Sequence, residues 1–267
     1  MRNVFRAVIA ASALFVVVQL GACSKEAPEP ATGNTDEASV GTTSEFVWLS
    51  QGTPAGESTV VRTGDGKETV ESFVHWNNRE YTVNSELQLN ADGIPVAQRI
   101  TGISPFGATI DESFAYEDGV ASWSTAGESG SVTTDDPGFY LPTEFGSLGV
   151  TTLVQAALKN IDGELAMLPS GTARVEELTT ADVDTPDGSQ TLSLYSIAGL
   201  GFTPTYAWFD ENMEVAVLDF GGFMGMYPKG WSSEVLDQLG TIQIAEDAAM
   251  IERISGDLAH VLDTPVL

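Results

Sequence analysis

The groups that could carry acid–base or nucleophilic chemistry are few and scattered. There are two histidines. His75 stands in FVHWNN on the same strand face as Phe73, and is a candidate base or ligand with a hydrogen-bonded structural role as the alternative. His260 falls off the 251–254–258 apolar stripe, which places it toward water. No H-x-H, H-E-x-x-H or C-x-x-C pair occurs, so a metal site built on His or Cys is not expected. The nearest approach to a G-x-S-x-G elbow is Gly127-Glu128-Ser129-Gly130-Ser131. It ends in Ser and lies between strands rather than between a strand and a helix, so it reads as a loop. Among the carboxylates Glu112 stands out. In ATIDESFAY it shares a face with Ile110, Phe114 and Tyr116, which takes it out of water, a setting in which functional carboxylates cluster. It could equally guard an edge strand against aggregation, or be buried in a pair with Arg99 or Arg79. Asp182-Val183-Asp184-Thr185-Pro186-Asp187-Gly188 gathers oxygen ligands in a turn. It lacks the spacing and closing Glu of a calcium-binding EF loop, leaving a loose calcium site or a solvated turn. No catalytic residue and no cofactor is assigned from these patterns.

The elements that must position such groups are mostly strands. From Ser44 the apolar residues alternate. In REYTVNSELQLN, Tyr81, Val83, Leu87 and Leu89 share one face, and Thr82, Asn84, Glu86 and Gln88 the other. Asp92-Gly93 then leads into IPVAQRITGI, a hairpin signal. Similar turns follow at Glu117-Asp118-Gly119, Pro186-Asp187-Gly188 and Glu211-Asn212. Strands joined in sequence order by tight turns predict a mainly β fold, an antiparallel meander with half-barrel-like sheets in two halves, about 44–140 and 164–230. A central helix is predicted at 146–161, where Val150, Val154, Ala157, Leu158 and Ile161 keep helical spacing up to Asp162-Gly163. C-terminal helices are predicted over 232–262, capped by Ser232 or Ser233 and interrupted at Gly240. Trp48, Trp76, Trp123, Trp208, Tyr116 and Tyr206 fall in strands, where they line either a sheet core or an apolar groove for a lipid or sugar.

The N-terminus gives an address. Arg2 and Arg6 precede Ala7 to Leu20, an apolar stretch broken only by Ser12 and Gln19. That is shorter than the roughly 20 residues of a membrane span and fits a secretory signal over 1–22. Leu20-Gly21-Ala22-Cys23 resembles the bacterial lipobox, with Cys23 as the lipidated first residue of the mature chain. Cys23 is the single cysteine, so an internal disulfide is excluded. Residues 23–43, rich in Pro, Glu, Ala, Thr and Gly, read as a disordered tether. Ser24 rather than Asp after the cysteine points to the outer membrane, with the domain facing the periplasm. With 38 acidic and 11 basic residues and a net charge of −27, the chain is a poor partner for nucleic acid, and anionic head groups repel it. Its route to a membrane is therefore the lipid on Cys23.

SEFVWLSQGTPAGESTVVR and SELQLNADGIPVAQRITGISPFGATIDESFAYEDGVASW resemble the N-terminal β-rich region of secreted bacterial amidohydrolases, of the metal-dependent hydrolase superfamily. The shared features are the strand, Gly-rich turn and strand at 46–62, the Asp92-Gly93 hairpin, Gly107 followed by Asp111-Glu112-Ser113-Phe114, and a helix after YPKGW. The resemblance runs over about 44–267. In that family the metal ligands, an H-x-H pair with further His and Asp and often a carboxylated Lys, belong to a TIM barrel that follows. None of those positions occurs here, so no catalytic or metal residue carries over. The resemblance implies a non-catalytic accessory domain of an amidohydrolase-type envelope lipoprotein, with 263–267 as a truncated or linker tail and a hydrolase domain as partner. The alternative is a standalone periplasmic lipoprotein whose curved sheet binds an apolar ligand or a protein partner. A third reading, a hydrolase using Glu112, is poorly served by so few histidines. The accessory-domain reading predicts that the reading frame beyond the Leu267 codon stays open and soon encodes an H-x-H strand; DNA sequencing checks this, and a stop codon there removes it.

Overall fold

A computed structural model describes residues 41–76 and 78–261, without the side chains of Trp76 and of residues 257–261. The first half is a meander of eight strands: β1 (Thr42–Ser50), β2 (Thr53–Arg62), β3 (Lys67–Trp76), β4 (Arg79–Leu89), β5 (Pro95–Ile103), β6 (Thr109–Glu117), β7 (Val120–Ser124) and β8 (Ser129–Thr133). Each pairs antiparallel with its predecessor. β1 begins inside the stretch read as tether.

The second half opens with β9 (Phe139–Tyr140), a 3-10 turn (Phe145–Ser147) and helix α1 (Gly149–Ala157). It continues through β10 (Glu164–Leu168), β11 (Thr172–Thr185), β12 (Gly188–Ala198), β13 (Thr205–Phe209), β14 (Val215–Asp219) and β15 (Met224–Pro228) to helix α2 (Glu234–Val261). The two halves are continuous, because β15 pairs antiparallel with β1. The result is one sheet in the order β8 to β1, then β15 down to β9. Its only parallel pair among the described strands is β9 with β10. A parallel pair cannot be closed by a hairpin and needs a long crossover, commonly helical; residues 141–163 with α1 are that crossover.

The sheet is strongly curved. Tyr140, on the strand that ends one side of the order, stacks on Phe114 of β6 near the other side, with ring centroids 4.6 Å apart and planes 2° apart. One apolar core joins Phe46, Trp48, Val60, Val83 and Ile100 from the first half, Ile197 and Phe209 from the second, and Leu153 and Val154 from α1. The crossover therefore lies within the concave face. On the other face α2 covers the second half, where Leu239 and Val235 pack with Trp208, Leu194 and Val217.

That two-sided cover explains where the strand signal departs from simple alternation. β3 to β6 have one wet face, whereas all five residues of β14 are buried. A strand covered on both faces reads as a continuous apolar run.

The helices correct three expectations. The α-helix of the crossover is shorter than 146–161, and Ile161 lies beyond it, fully exposed. A single continuous helix replaces the interrupted C-terminal pair. Its Ile251 and Ile254 face outward, 55 % and 48 % exposed. Gly240 does not break the helix; it permits close approach. A Cβ there would stand 2.7 Å from Asp219 Oδ2, and the Asp219 carboxylate is tethered by the Gly222 amide, which donates to Oδ1 at 2.8 Å. In an exposed helix Gly to Ala stabilises by about 1 kcal/mol. Here Gly240→Ala should instead destabilise by about 1–3 kcal/mol through overpacking, seen as a lower Tm in thermal denaturation; a higher Tm would show that the approach has slack.

Candidate binding site

The crossover brings main-chain N–H and C=O groups into an apolar interior, where each needs a partner. Polar side chains on the concave face supply them. Glu112, 3 % exposed, accepts from Tyr140 Oη at 2.6 Å, from Thr143 Oγ1 at 2.7 Å and from the Thr143 amide at 3.1 Å. It pairs with neither candidate arginine: Arg99 bonds Asp111 at 2.6 Å and Arg79 lies over the Phe106 ring. The expected apolar-face carboxylate is thus real, but its lone pairs are used to hold the entry of the crossover.

A second set of bonds holds the 3-10 turn. Trp48 Nε1 donates to Ser58 Oγ at 2.7 Å, the Ser58 and Ser72 hydroxyls share a bond of 2.6 Å, and Ser72 donates to the Gly146 carbonyl at 2.7 Å. The Gly146 amide donates to Tyr81 Oη at 3.1 Å, and Tyr81 donates in turn to Glu144 at 3.1 Å. A Cβ on Gly146 would meet the Tyr81 ring at 2.9 Å, so the turn seats here only as glycine. Burial, first of all, pushes the phenols of Tyr81 and Tyr140 well above the ordinary range, with Glu112 adding to the effect at Tyr140. Both remain hydrogen-bond donors. Burial also raises the Glu144 carboxyl.

Phe145 closes one end. It stacks on Tyr81 at 4.6 Å and meets Trp48 edge-on at 5.8 Å, beside Phe220 at 6.4 Å. Elsewhere Arg62 of β2 reaches Glu68 at 2.5 Å and also Glu214 in the β13–β14 turn, tying together the two halves of the sheet. Burial pushes the Glu68 carboxyl up against the opposing pull of Arg62.

On the outer flank of α1 a groove of about 450 Å³ remains between the helix, the end of β4 and the β13–β14 turn. Its walls are mainly apolar, from Leu89, Ala156, Leu158 and Met213, with Thr152 and Lys159 as polar points. Gln155 donates to the Met213 carbonyl at 2.7 Å and pins the turn to the helix.

The other sequence candidates lie apart. His75 is exposed on β3, opposite Glu80 in register, and does not approach Glu112. Cys23 and the side chain of His260 lie outside the described residues. Asp182 and Asp184 belong to β11 rather than to a ligand loop, and Asp182 accepts from Thr191 across the hairpin at 2.7 Å. Ser129 starts an exposed hairpin strand. Among the described residues no three His, Cys, Asp or Glu side chains gather to hold a metal. Trp48, Trp208 and Tyr206 are core residues, and Tyr116 and Trp123 are partly buried against Phe114.

Ser58, Ser72, Tyr140, Thr143, Lys159 and Thr152 were not singled out in advance. For Ser72 the signal was present: it sits between Val70 and Val74 on a buried face, the same pattern that drew notice to Glu112. Comparison of the chain with protein families, with curated proteins and with solved structures finds no match.

Glu112→Ala leaves the buried Tyr140 phenol without its acceptor and gives the exposed Thr143 donors to water, and should cost about 1–3 kcal/mol. In urea denaturation a double-mutant cycle with Tyr140→Phe should show coupling of about 1 kcal/mol. Additive effects would mean that the contact does not hold the crossover.

Proposed function

We propose that this chain is a non-catalytic envelope lipoprotein, anchored through Cys23, whose β-rich domain binds an apolar ligand in the groove beside α1. One observation carries the reading. The deeply buried carboxylate on the concave face, Glu112, has its oxygens engaged by protein donors, while the apolar groove at Leu89, Ala156, Leu158 and Met213 is left open. A general base needs a free lone pair facing a substrate, and a ligand pocket needs apolar walls with a few polar points. The groove meets the second requirement, and its volume falls within the usual range of about 300–1,000 Å³.

The amidohydrolase-accessory reading keeps one specific support. Ile244, Ile251 and Ile254 are 63 %, 55 % and 48 % exposed and share a helical face of α2, a surface suited to a further protein domain. In that reading the groove is incidental, and the partner is a hydrolase domain of the same lipoprotein.

The full chain carrying Cys23→Ser, which blocks lipidation, can be purified without detergent and extracted with organic solvent for mass spectrometry. Binding predicts a near-stoichiometric apolar compound in the extract. Leu158→Glu, at an exposed groove wall, should remove that compound and leave the far-ultraviolet dichroism unchanged. A clean extract from the Cys23→Ser chain, together with no uptake of added fatty acid, would defeat the ligand reading.

A further inference from the structure

We propose that the groove takes a single-chain carboxylic acid bearing a second oxygen function along its chain, an oxygenated fatty acid, with the carboxylate at Lys159 and the second oxygen at Thr152. This rests on the apolar-ligand reading and adds the ligand's chemistry.

The first observation concerns charge. In a chain with 38 acidic and 11 basic residues, a cation is readily matched by a carboxylate. Arg62, Lys67, Arg99, Arg174 and Lys229 are; Arg79, over the Phe106 ring, and Arg253 on α2 are not, but neither stands at the groove. Lys159, at the groove, is not matched either: among the described residues no carboxylate lies within 4 Å of its ammonium, which touches only the Ala91 carbonyl at 3.4 Å. Asp92, Asp136, Asp162 and Glu164 line the neighbouring hollow with Lys159, but none forms an ion pair with it. Gly93 of the β4–β5 turn leaves room for the ammonium, since a Cβ there would stand 2.9 Å from Nζ. One unpaired cation at an apolar groove, flanked by acids, matches a single negative charge. A phosphate dianion would exceed that complement.

The second observation is independent. Thr152 is 2 % exposed, lines the groove, and its Oγ1 has no hydrogen-bond partner. Its neighbour Thr151 shows the usual solution, donating to the Leu148 carbonyl at 2.8 Å. A buried hydroxyl left unpaired is destabilising, and an oxygen on a ligand would satisfy it.

Spacing links the two. Thr152, Ala156 and Lys159 recur at helical intervals, and the helical turn continues past Ala157 through amides of Leu158 and Lys159 bonded to Val154 and Ala156. At 1.5 Å per residue the two polar points are roughly 10 Å apart along the axis, with Ala156 between them. The ligand must therefore present oxygens at both ends of an apolar run.

The test uses the Cys23→Ser full chain and three probes: 10-hydroxydecanoate, decanoate and the methyl ester of 10-hydroxydecanoate, with affinities from calorimetry. Hydroxydecanoate should bind about fivefold more tightly than decanoate. Lys159→Met should weaken both acids about three- to fivefold and leave the ester unchanged. Thr152→Val should erase the preference for the hydroxyl while raising Tm, because it removes an unpaired buried group; a merely structural threonine would not move the preference. If all three probes fail to bind, the apolar-ligand reading falls together with this one. If they bind and neither substitution alters the ratios, only the oxygenated-acid assignment falls.

Discussion

The parallel pairing of β9 with β10 is the constraint on which the rest of the architecture depends. Every other described strand pair is antiparallel and, apart from β1 with β15, joins strands that are consecutive in the chain and need only a short connection. This one forces a crossover, and the crossover has to run across a face of the sheet. It runs through the concave one. Polar main chain then enters an apolar space, and the interior must supply acceptors and donors in fixed places. Glu112, Ser72 and Tyr81 do so from three different strands. Each occupies a site where an apolar residue would pack as well against the sheet but would leave the crossover unsatisfied.

The same constraint separates the two halves of the sheet in character. The first half contributes one face to the core and shows the other to water. The second is enclosed between the crossover and α2. The approach of α2 at Gly240 to Asp219 is close enough that burial raises the Asp219 carboxyl, with the neighbouring Asp237 adding a smaller push. Helix and sheet thus meet around a short carboxylate at this point, beside the apolar contact that Val235, Leu239 and Met250 make with the sheet.

The functional proposal follows from how polar groups are spent. The concave face uses its carboxylate and hydroxyls internally, which makes them anchors. The flank of α1 does the reverse. It leaves a lysine without a counter-charge and a threonine without a partner beside apolar walls. In the proposed reading, internal satisfaction marks the scaffold, and the unpaired lysine and threonine beside the groove mark the place for a ligand.

Much of this fold was legible in the residues. Period-two alternation with Asp-Gly and related turns determined the strands and the meander, because a half-buried strand must alternate. The apolar-face position of Glu112 announced a carboxylate removed from water. What alternation cannot carry is which strands meet across the chain. The β1–β15 pair makes one sheet from two expected halves, and the β9–β10 pair sends the crossover inward; both depend on contacts far apart in sequence. The partner of Glu112 is a tyrosine and a threonine about 30 residues on, rather than the arginine nearest to hand, because charge inventory names possible partners and only the path of the chain selects one. Gly240 makes the point for the helices. In one dimension it is a breaker. In three it is the residue that lets a helix lie against Asp219, and only the neighbour across the interface distinguishes the two.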